Sequence, residues 1–121
     1  MTKVLVIEDE ELIREIIVSL LNARGFSVIA AGDGRFGLQL LKEIVPDLIL
    51  CDVRMPGLDG YEVLRAVRQD PITATVPFIF LTAETNQDVL SQGQILSANG
   101  YLTKPFATGD LLKAIATHLR K

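Results

Sequence analysis

The 121-residue sequence has few of the features that mark membrane, secreted or nucleic-acid-binding proteins. No apolar stretch approaches the roughly 20 residues that a transmembrane helix needs, and the first residues show no signal-peptide pattern. Twelve basic residues are outnumbered by fifteen acidic ones, for a net charge of −3. The basic residues are also scattered, so no basic face for direct nucleic-acid binding is expected. We therefore expect a cytoplasmic protein without a membrane or nucleic-acid partner.

Cysteine is equally scarce. Cys51 is the single cysteine, which excludes an internal disulfide. It lies in an apolar run, and this position predicts a buried packing thiol instead of a reactive one. The length and the 49% apolar content suit one globular domain, which we place at residues 1–121.

Five short apolar runs predict five β-strands. Most are continuously apolar, which is typical of parallel strands that are buried on both faces. The predicted strands are Lys3 to Glu8, Ser27 to Ala31, Asp47 to Asp52, Phe78 to Thr82 and Gly100 to Thr103.

Helical patterns separate these strands. Apolar residues recur at helical spacing from Leu12 to Leu21, from Phe36 to Ile44, from Tyr61 to Val67 and from Thr108 to Leu119. Between Glu84 and Ser97 the pattern is diluted by polar residues, so that helix should be the least firmly held. Alternating strands and helices predict an α/β fold, a doubly wound five-stranded parallel sheet with five helices on both faces.

Polar side chains stand where these strands end. Glu8 and Asp9 follow the first run, Asp52 ends the third, Thr82 ends the fourth and Lys104 follows the fifth. The carboxyl ends of parallel strands share one edge of a sheet, where α/β proteins bind their ligands. Three carboxylates without histidine or a second cysteine favour Mg²⁺, with Mn²⁺ possible, over zinc. Asp52 could then act as a nucleophile toward phosphorus, with Thr82 and Lys104 binding phosphoryl oxygens.

These motifs strongly resemble the receiver domain of two-component response regulators, the family of the chemotaxis regulators. The resemblance spans nearly the whole chain, in order and with the family's spacing. It rests on Glu8-Asp9, on CDVRMPGLDG around Asp52, on Leu81-Thr82-Ala83 and on YLTKPF from Tyr101 to Phe106.

The resemblance implies a flavodoxin-like strand order 2-1-3-4-5 and a phosphorylation-activated switch instead of an enzyme. Asp52 would accept a phosphoryl group from a sensor histidine kinase or phosphotransfer protein. Asp9 and Asp52 would bind Mg²⁺ through carboxylates, Arg54 through its main-chain carbonyl and Glu8 largely through water.

The resemblance also assigns the switch itself. Thr82 and Lys104 would hold the phosphoryl oxygens, Tyr101 would turn inward when Thr82 moves, and the Lys104-Pro105 bond would be cis. The remodelled surface would then bind a downstream effector protein or a fused output domain. The resemblance fits both a stand-alone regulator and a receiver within a longer protein.

Two other functions would use similar residues, and the sequence argues against both. A phosphohydrolase of the haloacid dehalogenase type needs a second aspartate two residues after its nucleophile, where this chain has Arg54. A phosphorylation-independent interaction module would have lost part of the acid, threonine and lysine set, and none of it is missing.

A glycine-rich segment resembles a dinucleotide-binding motif. Residues 32–37 match G-x-G-x-x-G. Asp33 would put a carboxylate where a pyrophosphate should lie, and the second mononucleotide-binding half is missing. We therefore interpret Asp33-Gly34 as a turn before a helix and expect no dinucleotide.

Two sequence features concern dimer formation and the lifetime of the phosphorylated form. Asn99-Gly100 stands where many DNA-binding members carry two acids used in symmetric dimer contacts, so we do not expect that dimer. Arg54 and Glu84 should both project over the pocket mouth, where a paired guanidinium and carboxylate would partly screen the phosphoryl group from water.

Overall fold

The apolar runs form a parallel sheet in the computed structural model, which describes residues 1–83 and 98–119. Its five strands are β1 (Lys3–Ile7), β2 (Ser27–Ala31), β3 (Leu48–Asp52), β4 (Phe78–Thr82) and β5 (Gly100–Thr103). They are ordered β2-β1-β3-β4-β5, and every neighbouring pair is parallel. The predicted sheet and its order are confirmed, and the strand bounds differ from the predicted ones by at most one residue.

Four helices lie in the described residues. They are α1 (Glu11–Ala23), α2 (Gly34–Leu41), α3 (Gly60–Gln69) and α4 (Thr108–Leu119). The helix predicted between Glu84 and Ser97 lies outside the described residues. No helix within the described parts of the chain is long and apolar enough to cross a membrane.

The helix ends follow local chemistry. Asp33 caps α2 by accepting a hydrogen bond from the Phe36 N–H at 2.7 Å. Asp33 thus precedes the helix as predicted, whereas Gly34 is the first residue of the helix and not part of the turn. Asp59 and Glu62 form a reciprocal capping box at α3. Gly25 follows α1 with φ of 89°, a conformation that glycine adopts without steric cost.

Helix α2 is shorter than predicted, because Ile44 lies beyond its end. The N–H groups of Lys42 and Glu43 bond to carbonyls three residues back. This tighter 3₁₀-type turn ends the helix, and Pro46 disfavours helical backbone in the residue before it.

The sheet separates two hydrophobic clusters. Successive strand residues point to opposite faces, so each strand contributes to both clusters. The α2/α3-side cluster includes Leu5, Ile7, Ile49, Cys51, Phe78 and Phe80 from the sheet. The α1/α4-side cluster includes Val4, Val6, Leu48, Leu50, Ile79 and Leu81. Cys51 is fully buried and burial raises its pKa well above the ordinary value, so the packing interpretation of this thiol is confirmed.

One glycine lets α3 approach the end of β3. The Gly60 N–H donates to the Val53 carbonyl at 2.8 Å. A Cβ atom at position 60 would lie 2.3 Å from the Asp52 carbonyl oxygen and 2.9 Å from Val53 Cα. Both are backbone atoms, which have no rotamer to change. A side chain at this position would therefore push α3 away from the strand.

We expect Gly60→Ala to lower the free energy of unfolding by about 1–3 kcal/mol, the usual cost of forcing extra volume into a packed site. Gly109→Ala is the matched control, because a Cβ at Gly109 in α4 would have no atom within 4 Å. Alanine there should be neutral or stabilising by up to about 1 kcal/mol. Urea unfolding of both variants measures the difference, and equal stabilities would contradict the close-approach argument.

Candidate functional site

Three carboxylates converge at the carboxyl edge of the sheet. Glu8 and Asp9 follow β1, and Asp52 ends the central strand β3. One carboxylate oxygen from each lies within 4.8 Å of the other two. Glu8 is fully buried and Asp52 is 5% exposed, so water screens their mutual repulsion poorly. The convergence predicted from the strand ends is confirmed for these acids.

Lys104 places its ammonium between two of these acids. Its Nζ atom lies 3.0 Å from Glu8 Oε1 and 3.2 Å from Asp52 Oδ2. Charge-assisted hydrogen bonds of this kind are stronger than neutral ones. Burial alone would lower the pKa of Lys104, but the hydrogen bond to Glu8 and the charges of Asp52 and Glu8 raise it. Lys104 therefore remains an ammonium at neutral pH.

The carboxyl group of Asp52 is difficult to ionise in the metal-free protein. Burial, followed by the neighbouring charge of Glu8, raises its pKa from 3.8 to about 7, although Lys104 opposes this shift. Perturbed carboxyl groups of this kind are frequent at functional sites. A further cation at the cluster would favour the ionised form of Asp52.

The sheet register brings Thr82 and Lys104 to the same edge as the acids. Asp52 lies beside Leu81, and Thr82 lies beside Thr103. The Lys104 N–H donates to the Thr82 carbonyl at 2.7 Å, which ties the end of β5 to the end of β4. Thr82 is 2% exposed, and the Lys104-Pro105 bond is cis, as predicted.

Main-chain contacts hold Glu8 in place. Its carboxylate accepts the Glu10 N–H at 3.1 Å, and its carbonyl accepts a bond from Arg14 Nη1 at 2.9 Å. Sequence reasoning missed Arg14. Glu8 follows β1 and Arg14 lies in α1, so no single repeat relates them, and the contact depends on how α1 leaves the sheet.

Arg54 lies exposed in the loop that follows Asp52. The predicted pairing with Glu84 lies outside the described residues. The same loop borders the acid cluster and continues to Asp59, the cap of α3.

The predicted switch residue Tyr101 is partly buried and packs on the α2/α3-side cluster. Its ring stacks on Phe80, with 5.8 Å between ring centroids and 24° between ring planes. Tyr101 lies in β5 beside Phe80 of β4.

Residues 4–116 match the sequence profile of the response regulator receiver domain. The chain belongs to this family.

Solved structures of other receivers have the same fold. Vibrio cholerae chemotaxis protein CheY4 is 35% identical, with 98% of each chain covered and a TM-score of 0.95. A putative response regulator from Chloroflexus aurantiacus is 33% identical, over 99% of this chain and 98% of the other, with a TM-score of 0.94.

A third relative was solved with a metal. The receiver domain of the sensor histidine kinase PA1611 from Pseudomonas aeruginosa is 30% identical, over 98% of this chain and 97% of the other, with a TM-score of 0.90. That structure has a magnesium ion coordinated in its active-site cleft.

As a receiver domain, the chain is a phosphoacceptor switch of two-component signalling and not an enzyme that turns over a separate substrate. Membership of this family decides against the phosphohydrolase.

The raised pKa predicts how the stability of metal-free protein depends on pH. The unfolded chain loses the Asp52 proton near pH 4, whereas the folded chain keeps it until about pH 7. Between these values the unfolded state binds fewer protons, so this group destabilises the fold progressively as the pH rises. Asp52→Asn removes the effect.

We therefore expect the thermal midpoint of Asp52→Asn minus that of the wild type, both measured in EDTA, to increase between about pH 5 and about pH 8. Circular dichroism measures both midpoints. A difference that stays constant over this range would show that Asp52 does not titrate as described.

Proposed function

We propose that Asp52 is the phosphoacceptor of this receiver domain. The observation that carries the proposal is the shared ammonium: Lys104 bonds both Asp52 and Glu8 inside a cluster of three carboxylates. In this assignment an Asp52 carboxylate oxygen attacks phosphorus. The bond from phosphorus to the donor's histidine nitrogen breaks, and the electron pair stays with the imidazole.

We further propose that the acid cluster binds Mg²⁺, with Mn²⁺ as an alternative. Asp9 and Asp52 would provide carboxylate oxygens, Arg54 its main-chain carbonyl and Glu8 a hydrogen bond through water. The donor set fits, because these oxygen ligands are the type that Mg²⁺ prefers and the carboxylates lie within 4.8 Å of one another. A bound Mg²⁺ would supply positive charge that offsets the carboxylates and the phosphoryl oxygens.

Thr82 and Lys104 complete the proposed catalytic set with Asp52. The Lys104 ammonium already contacts the Asp52 carboxylate at 3.2 Å, so it lies where charge develops on a phosphoryl group. Thr82 would donate its hydroxyl to another phosphoryl oxygen. This movement would leave space for Tyr101 to turn inward, so that Thr82 and Tyr101 act together as the switch.

The proposed function requires two partner-binding surfaces. A sensor histidine kinase or phosphotransfer protein would deliver the phosphoryl group, and a downstream effector or fused output domain would bind the surface near β5 and α4. The output surface would also include residues 84–97, which lie outside the described residues.

The donor would dock on α1. Leu12 and Ile16 are 71% and 53% exposed, although both belong to the apolar pattern of the helix. Beside them is a pocket of about 430 Å³ that Ile13, Pro105 and Phe106 line together with Ile16. Lys104 lines this pocket as well as the acid cluster, so a protein seated here would face the phosphoacceptor. A continuous apolar surface of this kind indicates protein contact.

Incubation with acetyl phosphate and Mg²⁺, followed by mass mapping, tests the acceptor. Phosphate should appear on Asp52 and disappear in Asp52→Asn. Asp33→Asn is the control, because Asp33 is another carboxylate at this edge and asparagine caps a helix equally well. Phosphate on Asp9 or Asp59 of the wild type would refute the assignment.

The docking surface predicts a difference between protein and small-molecule donors. Ile16→Glu should slow transfer from an autophosphorylated sensor kinase by about tenfold, since a charge buried at an interface costs at least the roughly 1.4 kcal/mol that corresponds to this factor. Labelling by acetyl phosphate should not change.

Ile72→Glu is the matched control for this comparison. Ile72 is 70% exposed, but it lies in the turn before β4, at the opposite edge of the sheet. The kinase used should be the one that labels the wild type fastest in a purified panel. Equal kinase rates for the two variants would rule out docking at α1.

A further inference from the structure

Three aromatic rings form a row on the α2/α3 side of the sheet. The row consists of Tyr61 in the first turn of α3, Phe80 in β4 and Tyr101 in β5. Tyr61 meets Phe80 edge to face, with 5.4 Å between centroids and 67° between planes. Phe80 in turn stacks on Tyr101. Both arrangements are ones that aromatic pairs prefer.

The sheet register produces one half of this row. Phe80 and Tyr101 are direct neighbours on β4 and β5, so their side chains point to the same face. Phe80 is fully buried, whereas Tyr101 is only partly buried. Phe80 is therefore the fixed member of the pair, and Tyr101 is the ring with room to turn.

Phe80, the middle ring of the row, lies near the backbone of Asp52. A Cβ at Gly60 would lie 3.0 Å from Phe80 Cε1 and 2.3 Å from the Asp52 carbonyl oxygen. Phe80 thus packs against the same residue that packs against Asp52. Tyr61 follows Gly60 directly, so a shift of the loop after Asp52 would reach both rings.

The two tyrosines also lie close to each other. Burial raises the pKa of Tyr101, and the neighbouring Tyr61 adds to this effect. Tyr61 therefore lies near Tyr101 as well as in contact with Phe80.

We propose that Tyr61 and Phe80 are positioning residues that hold the Tyr101 ring in its stacked orientation. They would thereby set the fraction of molecules in which Tyr101 turns before any phosphoryl group is bound. The proposal rests on the role of Tyr101 in the proposed function. It adds a second contact route to Tyr101, separate from Thr82, that starts at the loop following Asp52.

The composition of the chain allows the fluorescence of Tyr101 to be measured by itself. The sequence has two tyrosines and no tryptophan, so Tyr101 is the sole emitter in Tyr61→Phe and in Tyr61→Leu. Phenylalanine keeps the ring at position 61, whereas leucine removes it. Acrylamide quenching reports the exposure of Tyr101 in each variant, and titration with beryllofluoride and Mg²⁺ reports the apparent affinity for a phosphoryl analogue.

Loss of one aromatic contact should shift the orientation equilibrium of Tyr101 by about two- to tenfold. Tyr101 should be less accessible to acrylamide in Tyr61→Leu than in Tyr61→Phe, because the turned ring lies further inward. Since the turned orientation binds the analogue better, half-saturation should occur at a two- to tenfold lower concentration in the leucine variant. A merely structural role would lower the thermal midpoint and leave half-saturation unchanged, which would overturn the proposal.

Two further measurements keep the test decisive. If Tyr61→Leu does not fold, Phe80→Met in the Tyr61→Phe background makes the same comparison, because methionine fills the volume without a ring. Mass mapping of Asp52 in the same variants after incubation with acetyl phosphate and Mg²⁺ separates the two hypotheses. Missing phosphate on Asp52 contradicts the proposed function, whereas normal labelling with equal half-saturation in both variants contradicts the role of the aromatic row.

Discussion

One ammonium group makes the carboxyl edge of this sheet possible. Like charges about 5 Å apart repel by about 3 kcal/mol per pair at an effective dielectric constant of about 20, and the sheet brings three carboxylates together. Lys104 contacts Glu8 at 3.0 Å and Asp52 at 3.2 Å. These contacts require β5 to end beside β4, so the position of one cation depends on the order and register of the whole sheet.

The same arrangement determines how the charge of the site responds to a further cation. Lys104 neutralises part of the negative charge, but burial and Glu8 still raise the pKa of Asp52 to about 7. The remaining electrostatic cost favours any cation that enters the cluster, and a cation favours the ionised form of Asp52. Binding of a cation and ionisation of Asp52 are therefore linked through the charge of one carboxyl group.

Much of this arrangement could be predicted from the sequence, because strand ends in a parallel sheet share an edge. The apolar runs located every strand, and the polar residues after them located Glu8, Asp9, Asp52 and Lys104. Periodicity could not show whether an apolar helix face is covered. Leu12 has the spacing of a core residue and is nevertheless 71% exposed.

Contacts between distant backbone segments were also beyond sequence reasoning. The role of Gly60 depends on how closely α3 approaches the Asp52 carbonyl, which the sequence does not show. The pairing of Tyr61 with Phe80 requires both the start of α3 and the face of β4. Such contacts are set by the packing of whole elements, for which spacing along the chain carries no signal.

The division of the core into two clusters has a consequence for signalling fidelity. The exposed apolar residues of α1 lie on the side of the sheet whose cluster contains Ile17 and Leu21. Phe80 and Tyr101 belong to the cluster on the other side. The sheet separates these two sets, because β3 and β4 are buried along their whole length. A protein bound at α1 would lie against the half of the core that excludes the aromatic rings, so contact at α1 and a change at the rings would be separate events at opposite faces of the sheet.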